Sequence, residues 1–239
     1  MRHVDSPTRI DTVEVRALEQ LTELRAVDAL FESVWGVGIP TLGAEFLRSL
    51  SHEGGYVTGA FLRGQLVGAS VGFRGIHHNR LSLHSHVTGV SPQARGAHVG
   101  TALKLHQRDW ALAHGIEVVT WTFDPLVRRN AWFNIGRLGA RPVEYLVNFY
   151  GSMRDSINAG DESDRLLMAW DVALPLPTEA LENDLHRAIA TPSDIESLRG
   201  TDPAAARQWR MRLREDLSEP VAKGQVVGFT REGDYLIRD

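Results

Sequence analysis

The chain has 239 residues, 43% of them hydrophobic and 23% charged, with a formal net charge of -4. That fits one large domain, or one with an extension: there are enough apolar residues to bury a core and too little charge for a disordered chain. The sequence has no apolar run of about 18 residues, no basic-then-apolar N-terminus, no basic tract and no cysteine, which argues against a membrane span, a signal peptide, a nucleic-acid partner, disulfides and any cysteine nucleophile.

Met1 to Thr12 is polar, contains Pro7 and reads as a frayed terminus. Val13 to Leu18 reads as a strand. Leu21, Leu24, Val27, Leu30 and Phe31 recur at helical spacing and predict a helix from Leu18 to Val34. A break from Gly36 to Pro40 precedes a short helix over Leu42 to Leu50, stopped by Gly54 and Gly55. Tyr56 to Leu62 and Gln65 to Phe73 are strands joined by Arg63-Gly64, a two-residue hairpin signal. The polar turn His77 to Arg80 leads into a third strand, Leu81 to Val90. After Pro92, a helix over His98 to His114 carries Val99, Leu103, Trp110 and Ala113 on one side and ends at Gly115. Ile116 to Phe123 is an apolar strand with both faces covered.

Asp124-Pro125 is expected to cap a helix running to Leu138, with Gly139 as its stop. Val143 to Tyr150 and Leu166 to Val172 are strands on either side of a polar loop with Asn158, Gly160 and Asp164. The pattern is a mixed α/β domain over residues 13–174. Pro175-Leu176-Pro177 marks a boundary, and 175–239 forms a small extension with a helix from Pro203 to Leu217 and strands at Gln225 to Phe229 and Tyr235 to Ile237.

The most informative segment is Val90-Ser91-Pro92-Gln93-Ala94-Arg95-Gly96-Ala97-His98-Val99-Gly100-Thr101. A strand enters a turn whose successive backbone N–H groups open a helix, and converging N–H groups with the helix dipole make a ready anion site. Small residues at 96, 97, 100 and 101 admit a phosphate close to the backbone. No Gly-Lys-Ser/Thr follows, so it is not a P-loop, and it does not end the first strand of a βαβ unit as a Rossmann turn does. A glycine turn before a helix, taken alone, is more often structural than ligand-binding.

Val90-x-Pro92-x-x-Arg95-Gly96-x-x-Val99-Gly100, followed by Leu103, resembles the acetyl-CoA motif of the GNAT superfamily of N-acetyltransferases, Gln/Arg-x-x-Gly-x-Gly/Ala. The order of elements from Val13 to Val172 matches as well. The resemblance implies an acetyl-CoA site at Thr88, Val90, Arg95, Gly96, Ala97, His98, Val99, Gly100 and Thr101, with Arg128 and Asn130 as further contacts. Three departures stand out. His98 replaces the first motif glycine, Arg128 stands where the family often has asparagine, and Ile135 where it often has the tyrosine that protonates the leaving thiolate. Trp121-Thr122-Phe123-Asp124-Pro125-Leu126 with Asn130 and Asn134 is similar to a GNAT subgroup with a C-terminal extension, which makes Asp124 and Asn134 candidate substrate contacts; Asp124 is first of all an expected N-cap.

Acyl transfer to an amine needs a base, and histidine titrates nearest neutral pH. His84-Ser85-His86 lies on the strand entering the turn, and a period of two puts both imidazoles on one face. His86 is the candidate base and His84 its relay; the competing reading is two hydrogen-bonded packing histidines. His-x-His can also ligate zinc, but no third ligand has matching spacing, so no metal is expected. Gly89 is a candidate site for the strand to splay, and Tyr145 and Tyr150 are candidate acids in place of Ile135. Of 26 basic residues only Lys104 and Lys223 are lysines, a bias that codon usage accounts for except at Arg95 and Arg128.

Arg207, Arg210 and Arg214 recur on the predicted C-terminal helix opposite Ala204, Trp209 and Leu213. The expectation is a solvated basic face; the alternatives are a cover over the acceptor cleft or a homodimer contact. Two functions follow. One is a cytoplasmic N-acetyltransferase moving acetyl from acetyl-CoA to a small-molecule or peptide amine by direct attack. The other, suggested by His98 and Ile135, is a non-catalytic CoA-binding or sensory module.

Overall fold

The computed structural model describes residues 13–36, 42–151, 161–177 and 186–238. The expected frayed terminus and the loop positions Asn158 and Gly160 lie outside them. The chain runs β1 (Glu14–Ala17), α1 (Leu21–Trp35), α2 (Ala44–His52), β2 (Tyr56–Leu62), β3 (Gln65–His77), β4 (Arg80–Val90), a short 3-10 turn (Pro92–Ala94), α3 (Val99–Ala113) and β5 (Val118–Phe123). There follow α4 (Arg128–Ala131), a π-helical turn (Trp132–Arg137), β6 (Arg141–Leu146), β7 (Arg165–Asp171), β8 (His186–Ala190), α5 (Ile195–Thr201), α6 (Pro203–Ala222), β9 (Val226–Phe229) and β10 (Asp234–Arg238). The strand order is β1-β2-β3-β4-β5-β7-β6 in a seven-stranded mixed sheet and β8-β10-β9 in a three-stranded antiparallel one.

Local chemistry explains most boundaries. Arg63 (φ 50°) and Gly64 (φ 78°) both take left-handed backbone, as a two-residue hairpin matching strand twist requires, and His78 (φ 46°) and Asn79 (φ 61°) repeat the device between β3 and β4. In α6, Asp202 accepts a hydrogen bond from the Ala205 N–H (3.0 Å) and Pro203 occupies the first turn.

The described residues fall into two compact units. The first combines those up to Val34 with those of Pro40–Gly72 and Val87–Gln107; the second combines those of Trp35–Ile39, Phe73–His86 and Arg108–Asp239. In the first, Leu24, Val27, Phe31 and Leu47 are buried, and α3 seats Val99 and Leu103 with Ala60 and Ala94. A Cβ at Gly68 of β3 would come within 2.7 Å of Val99, so this close helix–strand contact depends on glycine. The second unit buries Val119, Trp121, Leu166, Met168 and Trp170, the two indoles meeting edge to face at 6.2 Å.

Residues beyond Pro175 fall in the second unit together with β5, β6 and β7. The extension also contains β8 and α5, which sequence periodicity misses because the strand has only five residues and the helix seven.

The expected helix from Asp124 to Leu138 is corrected. Asp124 does not cap it: its Oδ1 accepts from the Leu126 N–H (3.0 Å) while Oδ2 faces arginines, and helical geometry begins only after Val127. From Trp132 it widens into a π-turn in which Gly136 makes room for the Trp132 ring, a Cβ there falling 2.7 Å from the indole.

Candidate active site

In the first unit, β4 ends at Val90 and the chain passes through the 3-10 turn to Arg95, Gly96, Ala97 and His98 before α3 begins at Val99. Gly96 has φ 86° and His98 φ 58°, so two left-handed residues flank Ala97. The position where the family motif prefers glycine does demand left-handed backbone, and histidine meets that demand at a cost of about 1 kcal/mol. Arg95, Gly96 and His98 are exposed, Ala97 and Gly100 half-buried and Val99 buried. Nothing lies within 4 Å of a Cβ built at Gly96 or Gly100. The turn thus offers backbone donors beside open space, which suits an anion.

Behind it runs a buried polar chain that sequence reading missed. Thr88 Oγ1 lies 2.9 Å from Ser70 Oγ, Gln107 Nε2 donates to Ser70 Oγ (3.4 Å), and Lys104 Nζ donates to Gln107 Oε1 (2.9 Å). The Thr88 side chain is therefore engaged inside this network. Burial lowers the Lys104 pKa to about 7. The signal was present: Gly100, Lys104, Gln107 and Ala111 share one helical stripe, and Lys104 is a lysine in a chain that otherwise uses arginine almost throughout.

In the second unit, His84 and His86 share one face of β4, ring centroids 6.3 Å apart, with Phe73 5.2 Å from His84 and 5.8 Å from His86. His84 Nδ1 is 3.1 Å from Thr120 Oγ1 on β5, so His84 has the character of an anchored residue, whereas His86 is exposed. Partial desolvation lowers the His86 pKa below the ordinary histidine value, leaving a neutral ring able to accept a proton. The parallel β4–β5 ladder runs from Ser82↔Val118 to His84↔Thr120; the register ends there, ahead of Gly89, where the splay was expected.

Asp124, at the end of β5, is 8% exposed. Its Oδ2 bonds the Arg199 guanidinium and lies 3.5 Å from Arg210 and 3.7 Å from Arg165. Asp161 bridges Arg199 and Arg210, and Arg214 grips Asp164 (2.9 Å and 2.8 Å). Asp124 is thus a buried ionic hub rather than an N-cap, its carboxylate occupied by the protein's own arginines. Nor is the arginine stripe of α6 a solvated face: Arg210 is 1% exposed, and only Arg207 of the three faces solvent. The acids that hold α6 lie in a loop whose partners no local pattern reveals.

Arg128 is held by Thr191. Its Nε donates to Thr191 Oγ1 (3.0 Å) and its Nη2 to the Thr191 carbonyl, while Gly233 packs flat against the guanidinium. Asn130 sits in the first turn of α4, half-buried, and Asn134 is buried in the π-turn. Tyr145 donates to Asp164 Oδ2 (2.9 Å), and burial and that carboxylate push its pKa up. Tyr150 is exposed, its hydroxyl 3.0 Å from Thr122 Oγ1 of β5. Ile135 is buried. Among the described residues, no group of three or more His, Asp or Glu side chains is arranged to hold a metal ion, and no helix is long and apolar enough to cross a membrane.

Solved structures share this architecture at low identity. The ribosomal-protein-S18-alanine N-acetyltransferase from Escherichia coli is 15% identical, with a TM-score of 0.54 over 71% of this chain and 100% of that one. Naa20 from Chaetomium thermophilum, solved with a bisubstrate analogue, is 14% identical, with a TM-score of 0.54 over 66% of this chain and 86% of its own. A GNAT-family protein from Desulfovibrio desulfuricans is 15% identical, with a TM-score of 0.50 over 67% and 99%. No family model matches the chain, and no curated protein does. What is shared at such identities is the mixed α/β fold of the GNAT N-acyltransferases.

Proposed function

We propose that this chain, which has the GNAT fold, is an N-acetyltransferase that moves acetyl from acetyl-CoA to the amine of a small-molecule or peptide acceptor by direct attack. The observation that carries this reading is the turn between β4 and α3, with left-handed Gly96 and His98 and open space at Gly96 and Gly100. Its N–H groups would hold the CoA pyrophosphate, with Arg95 free to add charge from the surface. The solved structures support the reading through the fold and, in the case of Naa20, through a bisubstrate analogue bound to that protein.

In this reading His86 removes a proton from the acceptor ammonium, the amine nitrogen bonds to the acetyl carbon, and the carbon–sulfur bond breaks. The departing thiolate takes a proton from Tyr150 or water, and the second proton lost by the nitrogen replaces it: Tyr145 is committed to Asp164 and Ile135 has none to give. Without cysteine there is no cysteinyl acyl-enzyme. The non-catalytic alternative leans on His98 and Ile135; the left-handed geometry of the turn survives at His98, and Tyr150 or water stands in for the tyrosine absent at Ile135.

Thermal unfolding with acetyl-CoA is the primary test. Ligand at about 100 times its dissociation constant adds roughly 2.7 kcal/mol, a rise of several degrees in a chain of this size. No shift at millimolar acetyl-CoA would overturn the reading. Turnover is then followed as CoA release across an amine panel. The acidic limb of the pH–rate profile should fall below the ordinary histidine pKa of about 6.5 and vanish in His86→Ala. Binding without turnover on any amine would favour the sensory alternative.

A further inference from the structure

A cavity lies within the second unit, bordered by Ile135 and the residues around it. It encloses about 520 Å³ between the π-turn after α4 and the C-terminal strands β9 and β10, a volume typical of small-molecule sites. One wall is the Trp132 indole. Its orientation is built in: it lies across Gly136, where any side chain would meet the ring at 2.7 Å, so a glycine is kept inside the helical segment despite its cost to helix stability. π-turns of this kind recur at functional sites.

The lining is cationic in an acidic protein. Arg141, Arg231 and Arg238 border the cavity against one carboxylate, Glu232. All three arginines are exposed, and among the described residues none has a carboxylate within 4.0 Å, whereas Arg129, Arg199, Arg210 and Arg214 are all paired. The Arg231 guanidinium lies over the Trp132 ring, 5.4 Å from its centre, a cation–π contact at the rim of the cavity. Apolar surface from Ile135, Val226 and Leu236 completes the lining.

From this arrangement we infer that the cavity is a binding site for a planar organic anion, an aromatic carboxylate whose ring packs beside the Trp132 indole and whose charge is met by the exposed arginines of the lining, Arg231 foremost. The inference does not depend on the acetyltransferase reading, and its test reads binding rather than turnover.

The full chain is titrated with 2-naphthoate by calorimetry and tryptophan fluorescence, with the neutral 2-naphthamide as control. The expected result is saturable one-to-one binding of the acid, with the amide weaker by about tenfold. The double variant Arg231→Gln/Arg238→Gln, at two exposed positions, should weaken the acid by about tenfold while leaving the amide unchanged. Trp132→Leu should weaken both. Saturating acetyl-CoA should leave naphthoate affinity within about twofold. The inference is overturned if millimolar naphthoate does not saturate, if acid and amide bind alike, if the arginine pair has no effect, or if acetyl-CoA displaces the probe.

Discussion

His98 and Lys104 each break a local rule. His98 holds a left-handed φ that glycine accepts freely and β-branched residues resist. His98→Val should therefore cost about 1 to 2 kcal/mol, and His98→Gly should change stability by less than about 1 kcal/mol, relief of strain offsetting the added freedom of the unfolded chain. Urea unfolding distinguishes these outcomes, and equal costs for both variants would show that the turn is not strained at this position.

Lys104 carries a pH signature. Its pKa falls from 10.5 in the unfolded chain to about 7 in the folded one, so between those values the unfolded state holds a proton that the folded state lacks. Stability should consequently rise with pH, by up to about 1.4 kcal/mol per unit from this group, from near pH 7 toward pH 10. Below pH 7 both states are charged and its contribution is flat. Lys104→Met should be more stable than the native chain at pH 7 and should lose this slope. A slope that survives the substitution would assign it to other groups. Arginine could not replace lysine here, because it would keep its charge when buried.

The elements of the extension are held to the second unit by charge as much as by apolar contact. α6 buries Ala206, Leu213 and Leu217, but it also places Arg210 between Asp124 and Asp161, with one nitrogen, Nη1, left without a hydrogen-bond partner. Buried pairs of this kind return little net energy when intact and cost much when broken. Arg210→Met should destabilise the protein by about 3 to 5 kcal/mol, because Asp161 would then keep only Arg199 as a partner on this side. Thermal unfolding should register this as a fall of roughly 10 °C. A loss below about 1 kcal/mol would mean that the hydrophobic contacts alone dock the helix.

Across the whole molecule, removal of the extension is the sharper test of how the chain is organised. Ending it after Pro177 would strip Asp124, Asp161 and Asp164 of Arg199, Arg210 and Arg214, strip Arg128 of Thr191, and uncover the faces that β9 and α6 occupy. The shortened chain should not give a cooperative unfolding transition. A stable, cooperatively folding product would establish the boundary after Leu174 as a true domain limit.

The strand–helix order from β1 through β7 was readable in advance because each element declares itself locally. The Arg63-Gly64 hairpin signal marks β2 and β3, and the spacing of Leu24, Val27 and Phe31 marks α1. The Arg95 to Gly100 turn is likewise local, since its anion-binding character resides in the backbone of consecutive residues. Histidine spacing also placed His84 and His86 on one face without help from the fold. Partnerships were out of reach of such reasoning. That Asp124 is a hub and not a cap, that Arg128 meets Thr191, and that Arg210 is buried all depend on residues 63 to 86 positions away in sequence. A charged side chain looks the same in a sequence whether it meets water or a distant carboxylate. Only the packing of the extension decides which, because burial sets both the energy of each charge and the partners within its reach.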